Sequence, residues 1–497
     1  MLDSLNLAVN YLFADWMTLF YLMLGVLIGV LFGIIPGLGG TTAVALLLPL
    51  TFGMQPEQAI TLMGGILGSS AIGGSVAAIL INAPGTAPNA ATCFDGYPMT
   101  RQGKAGMAIG AAVAASSIGG LIGVVILIAV LPITKSIVLL FGPPAFFMLA
   151  ILGLTSLTVA SGNLLRGLLA ACLGLLIGFV GYDDLGGSQR YTFDSDFLWD
   201  GISLVPTLIG LFAIAEMIKL YVEGGAIAKS MDPKLIRIAG TWQGIKSVFS
   251  NMKTVLSGSA IGSIVGMVPG VGGTVASFLS YSFAAQTTRK DNQFGRGDIR
   301  GVIAPEAANN AKDGGSLIPT LAFGIPGSAE MALFLGVLIM HGMSPGPMLL
   351  LEREWSIMVL IIALALATVL SGLVVLLASR LLIQISFINS VMIIPAVLTI
   401  SLVGAYALNA HMGDVIVAVI FGVVGYLMIK FDYPRITLVI ALVLGGMMER
   451  SFLQSMIIFR GDGLRFFQDT VSLVIFILIV LALSVPLVRA IKRRLAS

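Results

Sequence analysis

Long apolar stretches alternate with short polar segments along almost the whole of this chain. Apolar stretches near the length of a membrane-spanning helix, roughly 20 residues, recur from one end to the other. Clear cases are residues 17–34, 107–131, 205–221, 357–379 and 471–488. The pattern predicts about a dozen helices that cross the bilayer or enter it as hairpin arms. We therefore expect an all-α polytopic membrane protein.

The apolar sequence is interrupted twice by the same phrase. Residues 29–42 read GVLFGIIPGLGGTT and residues 262–275 read GSIVGMVPGVGGTV, so Pro36 matches Pro269 at a shift of 269 − 36 = 233 residues. That shift is nearly half of the chain, which predicts two copies of one unit. A Pro-Gly break at membrane depth frees backbone groups that lipid cannot satisfy, so it must be buried in protein or line a cavity. Paired breaks in two halves are typical of a transporter's binding site.

A second pair of breaks follows the first. Residues 73–87 (GGSVAAILINAPGTA) correspond to residues 314–329 (GGSLIPTLAFGIPGSA), with eight or nine residues between G-G-S and a Pro-Gly-hydroxyl tip. A helix rises about 1.5 Å per residue, so this arm is too short to cross roughly 30 Å of hydrocarbon. We expect each to be one arm of a re-entrant hairpin that turns back at its tip. Kinks in ordinary packed helices are the alternative, but four breaks paired by sequence and spacing favour a site.

Half-helices that meet within the membrane can bind ions, because free N–H groups at helix N-termini attract anions and free carbonyls suit cations such as Na⁺. The expected substrate contacts are the glycines, prolines, hydroxyls and amides at the breaks: Gly37, Gly39, Gly40, Thr41, Thr42, Pro84, Gly85, Thr86, Asn89, Gly270, Gly272, Gly273, Thr274, Asn309, Asn310, Pro326, Gly327 and Ser328. The candidate ligands for a coupling ion are Asn82, Asn310 and Glu330. A structural hydrogen bond to a neighbouring helix would explain Glu330 equally well.

Charged residues near the second tip are interpreted differently. Glu306, Lys312 and Asp313 are expected to form a solvated turn, with a place along the access path as the alternative. The chain shows no obvious intramembrane arginine that could clamp a carboxylate. Anion binding is therefore expected to depend on backbone amides, hydroxyls and Asn side chains.

Composition narrows the class of protein. Hydrophobic residues make up 57% of the chain and charged residues 10%, whereas a soluble protein averages roughly 25% charged. A net charge of +3 without a basic tract gives no reason to expect a nucleic-acid partner. Cys93 and Cys172 supply neither a disulfide framework nor a metal site, and no metal other than a coupling Na⁺ is expected. The opening MLDSLNLAVN lacks the features of a removable signal peptide.

Lysine and arginine placement predicts the orientation of the spans. Residues 1–16 carry neither, so they are expected outside, and the acidic stretch 181–200, with Asp183 and Asp184, is also expected outside. A cytoplasmic location is expected for the segment with Lys229, Lys234, Arg237, Lys246 and Lys253 and for the C-terminus with Lys492, Arg493 and Arg494. The spans before the two repeated phrases then start on opposite sides, which predicts an inverted-topology repeat. A parallel duplication is the alternative, since later segments can override charge bias.

At the breaks the chain resembles the large membrane subunit of tripartite tricarboxylate transporters, the TctA family. The resemblance covers residues from about 17 to about 350, and it rests on five motifs: FGIIPGLGGTTAVALLLPLTFGM, NAPGTAPNAATCFDGYPMTRQGKAG, GMVPGVGGTVASFLSY, APEAANNAKDGGSLIPTLAFGIPGSAE and LIMHGMSPGP. Where a small or hydroxyl residue is expected after the second tip, this chain has Glu330. A carboxylate there would repel a trianion unless it is neutralised or holds a cation.

The resemblance implies a multi-pass permease of the bacterial inner membrane that takes up organic acids such as citrate. It implies a small TctB-like membrane subunit and a periplasmic TctC-like solute-binding protein as partners, and symport with Na⁺ or another cation (H⁺) in place of ATP. It also implies an elevator mechanism related to that of the TRAP transporters. On this interpretation residues 1–235 form the first inverted repeat and residues 240–497 the second. The transport parts would be residues 17–131 and 255–350, and the scaffold parts residues 136–222 and 355–497.

Other functions have less support in the sequence. A permease without a binding protein and an exporter are the closest alternatives. An intramembrane enzyme is disfavoured because the chain has no H-E-x-x-H motif and no convincing Ser/His or paired-Asp constellation. An ATP-driven pump is disfavoured for want of a G-x-x-x-x-G-K-[ST] loop, and a passive channel fits broken inverted repeats less well than alternating access does.

Overall fold

The computed structural model describes residues 2–182, 187–223, 239–288, 293–386 and 393–496, and side chains at the C-terminus as far as Ser484. In these residues the chain is almost entirely helical. The α-helices are α1 (Leu2–Ala14), α2 (Trp16–Ile34), α3 (Gly39–Leu47), α4 (Pro56–Ile81), α5 (Ala90–Arg101), α6 (Ala105–Val138), α7 (Pro143–Ala160), α8 (Leu164–Gly178), α9 (Leu204–Leu208), α10 (Ala215–Glu223), α11 (Thr241–Ser250), α12 (Met252–Gly266), α13 (Gly272–Thr287), α14 (Arg300–Phe323), α15 (Ala329–Met340), α16 (Pro347–Glu352), α17 (Glu354–Ser386), α18 (Ile394–Asn409), α19 (Met412–Lys430), α20 (Arg435–Ile458) and α21 (Thr470–Ala496).

Shorter elements complete this list. A π-helical turn, Ile209–Ile214, joins α9 to α10 without a break, and 3₁₀ turns occupy Pro49–Thr51, Ala87–Asn89, Asp196–Leu198 and Gly463–Phe467. Strands β1 (Gly181–Tyr182) and β2 (Gln189–Arg190) pair antiparallel. Several residues used to predict topology lie outside the described structure: Asp183, Asp184, Lys229, Lys234 and Arg237, together with the side chains of Lys492, Arg493 and Arg494.

Eight helices of the described residues are long and apolar enough to cross a membrane. They are Trp16–Ile34, Pro56–Ile81, Ala105–Val138, Pro143–Ala160, Leu204–Glu223, Glu354–Ser379, Met412–Lys430 and Arg435–Ile458. Shorter apolar helices, α3, α8, α15 and α18 among them, account for further segments that the sequence predicted as spans or arms. The prediction of an all-α polytopic membrane protein is confirmed.

Helix contacts repeat with the two halves exchanged. Helix α4 packs against α2 and α17, and its counterpart α14 packs against α12 and α6. In the same way α1 packs on α17 while α11 packs on α6. Such exchange is what a pseudo-two-fold axis between two copies of one unit produces. We call α1–α6 with α11–α17 the core unit.

The remaining helices, α7–α10 and α18–α21, form what we call the scaffold unit. In it α20 packs along α8 while α19 packs along the continuous helix α9–α10, again with the halves exchanged. Helix α17, which lies in the predicted scaffold part 355–497, packs against α4, α6 and α2 of the core unit. The domain boundaries stay predictions.

The repeated P-G-x-G-G phrase forms the tip of a helical hairpin in each half. Helix α12 runs parallel to α14, because Gly258 lies against Ala304 and Gly266 against Lys312. Helix α13 runs back, since Ser280 Oγ donates to the Ala304 carbonyl at 2.7 Å. The chain therefore enters along α12, turns at the tip and returns along α13.

The first half has the same form. Gly25 lies against Leu62 and Gly33 against Ser70, so α2 is parallel to α4. Gln58, near the start of α4, donates to Asp15 at the start of α2 at 3.0 Å. Helix α3 therefore returns the chain to the end of the core unit where α2 began.

The second pair of breaks does not form the predicted short-armed hairpins. Gly73-Gly74-Ser75 lies inside the continuous 26-residue helix α4, and the matching Gly314-Gly315-Ser316 lies inside the 24-residue helix α14. After the first tip the chain drops back beside Gly74, and α5 then runs parallel to α4, with Thr100 Oγ1 donating to the Ile79 carbonyl at 2.8 Å. Each break is a discontinuous helix that doubles back and resumes its direction. The prediction of short hairpin arms was wrong, because the Gly-Gly-Ser residues pack against neighbouring segments and do not end α4 or α14.

Helices α4 and α14 cross at the centre of the core unit in opposite directions. Asn310 lies beside Gly68, with its Nδ2 donating to that carbonyl at 3.4 Å, and Glu306 lies beside Ser75 at 2.5 Å. Residue numbers thus rise along one helix as they fall along the other. The two hairpins enter from opposite ends and their tips face each other, as the inverted-repeat prediction requires.

A buried carboxylate joins the repeats at one end of the core unit. Asp95 on α5 accepts hydrogen bonds from the backbone N–H groups of Gly295, Gly297 and Asp298 at 2.8 to 3.0 Å and from the hydroxyl of Tyr281. Three N–H donors around one carboxylate satisfy it without a cation. Residues 295–298, just before α14, are therefore fixed to the other repeat.

Candidate functional site

A cavity of about 510 Å³ lies where the four breaks meet. The hairpin tips, the first Pro-Gly tip and the start of α15 with Ser328 form its core-unit wall, and helices α10 and α20 with the π-helical turn form its scaffold wall. Most of the predicted site residues line it: Gly37, Gly39, Gly40, Thr41, Thr42, Pro84, Gly85, Thr86, Gly270, Gly272, Gly273, Thr274, Ser328 and Glu330. Residues far apart in sequence are thus brought together as the repeat pattern predicted.

Six predicted residues do not line the cavity: Asn82, Asn89, Asn309, Asn310, Pro326 and Gly327. Asn82 is an exposed C-cap of α4 with φ +55°. Asn89 is buried behind the wall, where its Oδ1 accepts a hydrogen bond from Thr86. Asn82 is thereby placed away from the cavity, whereas Asn89 acts on the wall through Thr86.

The first two glycines of each phrase adopt a backbone that other residues rarely adopt. Their φ angles are +87° at Gly37 and +66° at Gly39, and +78° at Gly270 and +71° at Gly272. This left-handed geometry strongly favours glycine. It turns the chain so that α3 and α13 begin at the cavity, with their first N–H groups free to face a ligand.

The third glycine of each phrase makes room for a charged neighbour. A Cβ atom on Gly40 would lie 2.7 Å from Oε1 of Glu330 and 2.5 Å from Oγ of Ser70. A Cβ atom on Gly273 would lie 2.5 Å from Cε of Lys312. The two glycines therefore let the charged side chains reach the cavity between the hairpin tips.

Lys312, Asp313 and Glu330 form a charge cluster at the cavity. The Lys312 ammonium pairs with Asp313 and, at 3.3 Å, with Glu330. Lys312 and Asp313 are 4% and 2% exposed, so the prediction of a solvated turn at these residues was wrong. The pair with Lys312 places a cation beside Glu330, the carboxylate whose charge conflicted with an anionic substrate.

Glu306 is also buried, with no exposed surface, and not in a solvated turn. Its two oxygens accept hydrogen bonds from Ser75, Asn89, Thr92 and Ser116 at 2.5 to 3.0 Å. Four neutral donors around one carboxylate can satisfy its lone pairs. Glu306 of the second repeat thus orients Asn89 of the first, which in turn holds Thr86 at the cavity wall.

The scaffold wall contains an arginine that the sequence analysis missed. Arg435 lines the cavity, donates to Glu216 at 2.7 Å and to the Leu211 carbonyl of the π-helical turn at 2.8 Å, and lies 5.2 Å from the centroid of the Phe212 ring. Lys219 lies 3.8 Å from Glu216 and lines the cavity as well. Because Arg435 stands at the start of an apolar stretch, the sequence alone could not distinguish it from an arginine that only marks the end of a membrane span.

The charges on the wall suit an anion. Lys219, Lys312 and Arg435 are the cationic residues among the described lining, against the carboxylates Glu216 and Glu330. The N-termini of α3, α13 and α15 add partial positive charge at the same place. A small carboxylate-bearing molecule would therefore find both charge and free N–H donors.

Buried polar atoms without a hydrogen-bond partner in the described structure lie on α14, close in sequence to the charge cluster of Lys312, Asp313 and Glu330. Asn309 Oδ1 and Nδ2, Asn310 Oδ1 and Ser316 Oγ are buried without a hydrogen-bond partner in the described structure. Buried polar atoms are normally paired, so each of these needs an explanation. Amide and hydroxyl oxygens are ligands that a hard cation accepts, whereas the described residues hold no group of three or more His, Cys, Asp or Glu that could bind a metal ion.

Comparison with known proteins finds one family and two relatives that match the chain. The model of the tripartite tricarboxylate transporter TctA family matches residues 19–440. An Agrobacterium vitis protein named as an uncharacterized 52.8 kDa protein in the TAR-I ttuC' 3'region is 34% identical over 449 residues, covering 90% of this chain and 89% of that protein. A second, from the TAR-II ttuC' 3'region of the same organism, is 33% identical over 211 residues, covering 42% of this chain and 87% of that protein.

No solved structure matches the chain. The family match spans both hairpins, both discontinuous helices and most of the scaffold unit, as far as the first turns of α20. The chain belongs to the tripartite tricarboxylate transporter TctA family.

Proposed function

We propose that this protein is the large permease subunit of a binding-protein-dependent secondary transporter that imports tricarboxylates or related organic acids. The observation that carries the proposal is the cavity between the facing hairpin tips, with Lys312 reaching into it beside the free N-termini of α3 and α13. A carboxylate of the substrate binds at Lys312, and the backbone N–H groups of the tips bind a second. Arg435 and Lys219 face the substrate from the scaffold wall.

Transport is driven by symport of a cation, with Na⁺ as the first candidate. Support comes from the side-chain oxygens of Asn309, Asn310 and Ser316, which have no hydrogen-bond partner in the described structure and lie within about one helical turn of Lys312 on α14. Glu330 is the candidate carboxylate ligand for the same ion. Asn82, also a candidate from the sequence, is exposed and away from the cavity, which argues against Asn82 as a ligand. H⁺ is the alternative coupling ion.

The mechanism is an elevator, in which the core unit carries the substrate past the scaffold unit. The proposal is supported by the separation of the cavity into a core-unit wall and a scaffold wall. A small TctB-like subunit completes the membrane assembly, and a periplasmic TctC-like protein delivers the substrate. The assembly lies in the bacterial inner membrane with the C-terminus in the cytoplasm, and the chain itself performs no catalysis.

Uptake into proteoliposomes tests the proposal. Vesicles with this chain and its small subunit receive radiolabelled organic acids, citrate first, with and without the binding protein and with a Na⁺ gradient, a pH gradient or neither. We expect accumulation only with the binding protein and one of the cation gradients. Accumulation without the binding protein or without any gradient would contradict it.

A matched pair of variants tests the assigned anion site. Lys312→Gln removes the ammonium in the cavity, and we expect it to abolish uptake. Lys253→Gln removes an exposed lysine of α12, and uptake should be retained. Equal activity of the two variants would exclude Lys312 as the residue that binds the substrate.

A further inference from the structure

We propose that Glu330 is an exchangeable counter-ion. In the structure it pairs with Lys312, and when the substrate binds, a carboxylate of the substrate takes its place and leaves Glu330 free to bind the coupling cation. This inference rests on the proposed function, because it needs a carboxylate substrate and a coupling cation. It assigns to one ion pair the step that makes the binding of each ligand depend on the other.

The starting point is the burial of Lys312. Its side chain is 4% exposed, and a buried ammonium without a counter-charge is strongly unfavourable. Asp313 and Glu330 are its ionic partners in the described structure. The cavity therefore already contains an internal carboxylate at the place where a substrate carboxylate is expected to bind.

The two carboxylates differ in a way that separates their roles. Asp313 is 2% exposed, follows Lys312 on the same helix and does not line the cavity. Glu330 is 15% exposed, belongs to the first turn of α15, lines the cavity and lies at the longer distance of 3.3 Å. Asp313 is the permanent partner of Lys312, whereas Glu330 can be replaced by a ligand that enters the cavity.

Charge balance makes replacement more favourable than addition. A Lys ammonium has three N–H donors, so a third carboxylate could reach it geometrically. Three carboxylates around one ammonium would, however, repel one another within a site from which much water is excluded. Exchange keeps two carboxylates on Lys312 and releases the third, which is then an unpaired anion close to the cavity.

The carboxylate of Glu330, once released from Lys312, can bind the coupling cation. A Glu330 freed from Lys312 is a negatively charged oxygen ligand, and a cation that binds it removes the cost of leaving it unpaired. Substrate binding therefore raises the affinity for the cation, and by linkage the cation raises the affinity for the substrate by the same factor. Couplings of this kind are typically roughly 5- to 150-fold.

The experiment measures this linkage on the full permease with its small subunit. Equilibrium binding of a panel of acids (citrate, isocitrate, tricarballylate, succinate, malate and tartrate) is measured at fixed pH, in choline buffer and in saturating NaCl, for the wild type and Glu330→Gln. In the wild type Na⁺ should tighten binding within the roughly 5- to 150-fold range. In Glu330→Gln binding without Na⁺ should be tighter than in the wild type, and Na⁺ should change it less than twofold, well below that range.

Two further variants keep the outcomes distinct. Asp313→Asn removes the other carboxylate, and its binding should still depend on Na⁺, because Glu330 remains. Glu352→Gln removes an exposed carboxylate outside the cavity and should behave as the wild type. Loss of the Na⁺ dependence in Asp313→Asn, or its retention in Glu330→Gln, would overturn the inference. A pH titration replaces the Na⁺ titration if only protons drive uptake, and the same outcomes apply.

The failure of the wider proposal has a different signature. If none of these acids binds to the wild type, the proposed function fails, and the exchange fails with it. If an acid binds to the wild type but Glu330→Gln binds it no more tightly without Na⁺, only the exchange is excluded. Melting temperatures of all variants, measured in choline buffer, show whether a change in binding comes from misfolding.

Discussion

At the scale of single residues, two glycines determine where the charges of the cavity lie. Gly40 and Gly273 have ordinary helical backbone angles, so glycine is needed there because it has no side chain, and not because of an unusual backbone conformation. Gly40 lies against Glu330, and Gly273 lies against Lys312. The glycines that appeared in the sequence as a repeated turn motif thus also define the space for an ion pair.

Gly273→Ala tests this space. The new methyl group would meet Cε of Lys312 at 2.5 Å and displace the ammonium from the cavity. We expect the affinity for the organic acid to fall by roughly tenfold, equivalent to about 1.4 kcal/mol, measured as a rise of KM in proteoliposome uptake. Gly446→Ala is the control, because its Cβ would meet nothing within 4 Å, and its KM should not change.

Glu306→Gln tests the buried hydrogen-bond network. The new NH₂ group would face donors from Ser75, Asn89, Thr92 and Ser116, so at least one buried donor would lose its acceptor. We expect a loss of roughly 1–3 kcal/mol of stability, seen as a lower midpoint of thermal unfolding in detergent. The exposed Glu352→Gln should leave the midpoint unchanged, and an equal midpoint for both would show that the network carries little stability.

The charged residues show what could not be predicted one residue at a time. Lys312 and Asp313 follow AANNA and precede two glycines, which is the composition of a solvated loop. Their burial depends on partners in other helices, Glu330 from the following helix and Gly273 from the hairpin, and a single sequence does not contain that information. Glu330 itself was recognised, because a carboxylate within apolar sequence stands out without knowledge of its partner.

At the scale of helices, each Pro-Gly tip is fitted against the hairpin of its own repeat. A Cβ atom on Gly85 would lie 1.8 Å from the carbonyl oxygen of Gly33, and one on Gly327 would lie 2.8 Å from that of Gly266. Both partners stand in the last turns of the helix that precedes the hairpin tip. Close backbone contact between the two breaks thus explains the glycine in both halves.

Gly85→Ala and Gly327→Ala should therefore differ in degree. The first forces a backbone shift and should lower the unfolding midpoint and abolish uptake, whereas the second should lower both less. Gly53→Ala, where a Cβ meets nothing within 4 Å, should be neutral. Thermal unfolding and uptake, measured on the same preparations, check which variant is more severely affected. A more severe effect of Gly327→Ala would show that the backbone contact at these tips does not determine stability or uptake.

Which break forms a hairpin was the main error at this scale. The sequence placed hairpins at the Pro-Gly tips after Gly74 and Gly315, but the hairpins form at the P-G-x-G-G phrase. G-G-S looks like a helix end from composition, yet Gly74 lies against Asn89 and Gly315 against Ser263. Close packing of helices requires small residues, so they stabilise α4 and α14 where they were expected to end them.

At the scale of the whole molecule, the core unit and the scaffold unit meet around the cavity. Gly270 lies against Leu157 of α7, and Gly37 lies against Leu220 of α10, so each hairpin tip contacts the scaffold unit. An elevator requires these contacts to break and form again during transport. A covalent link between the units should therefore stop transport without unfolding either unit.

A disulfide between Gly153→Cys and Ile325→Cys provides such a link, with Cys93 and Cys172 replaced by serine. The Cβ position of Gly153 lies 3.1 Å from Cγ2 of Ile325, so side chains at these two positions are in direct contact across the two units. We expect uptake to stop on oxidation and to recover on reduction. Each single cysteine variant should transport under both conditions, and full transport by the cross-linked protein would exclude movement between these units.

The sequence predicted the duplication and the opposed directions of the two halves, because both depend on local motifs and on charges at the ends of spans. It did not predict the scaffold wall. Arg435 and Glu216 are far apart in sequence, and their pair at the cavity follows only from the way α20 and α10 pack. The separation into two units likewise depends on contacts such as those of α17, which the sequence order does not reveal.

The antiparallel crossing of α4 and α14 has a consequence for how a ligand can sit. The two repeats share a backbone frame but not its charges: Gly73-Gly74-Ser75 aligns with Gly314-Gly315-Ser316, which puts Ala71 and Ile72 at the positions of Lys312 and Asp313. The backbone around the cavity is thus nearly two-fold symmetric, but only the second repeat contributes a charged pair at this position. If the proposed acid binds there, Lys312 would hold it off the axis and in one orientation, and we expect mirror-image forms of a chiral substrate to present their hydroxyl groups to different walls. Stereoselectivity is then a property of the divergence between the two halves.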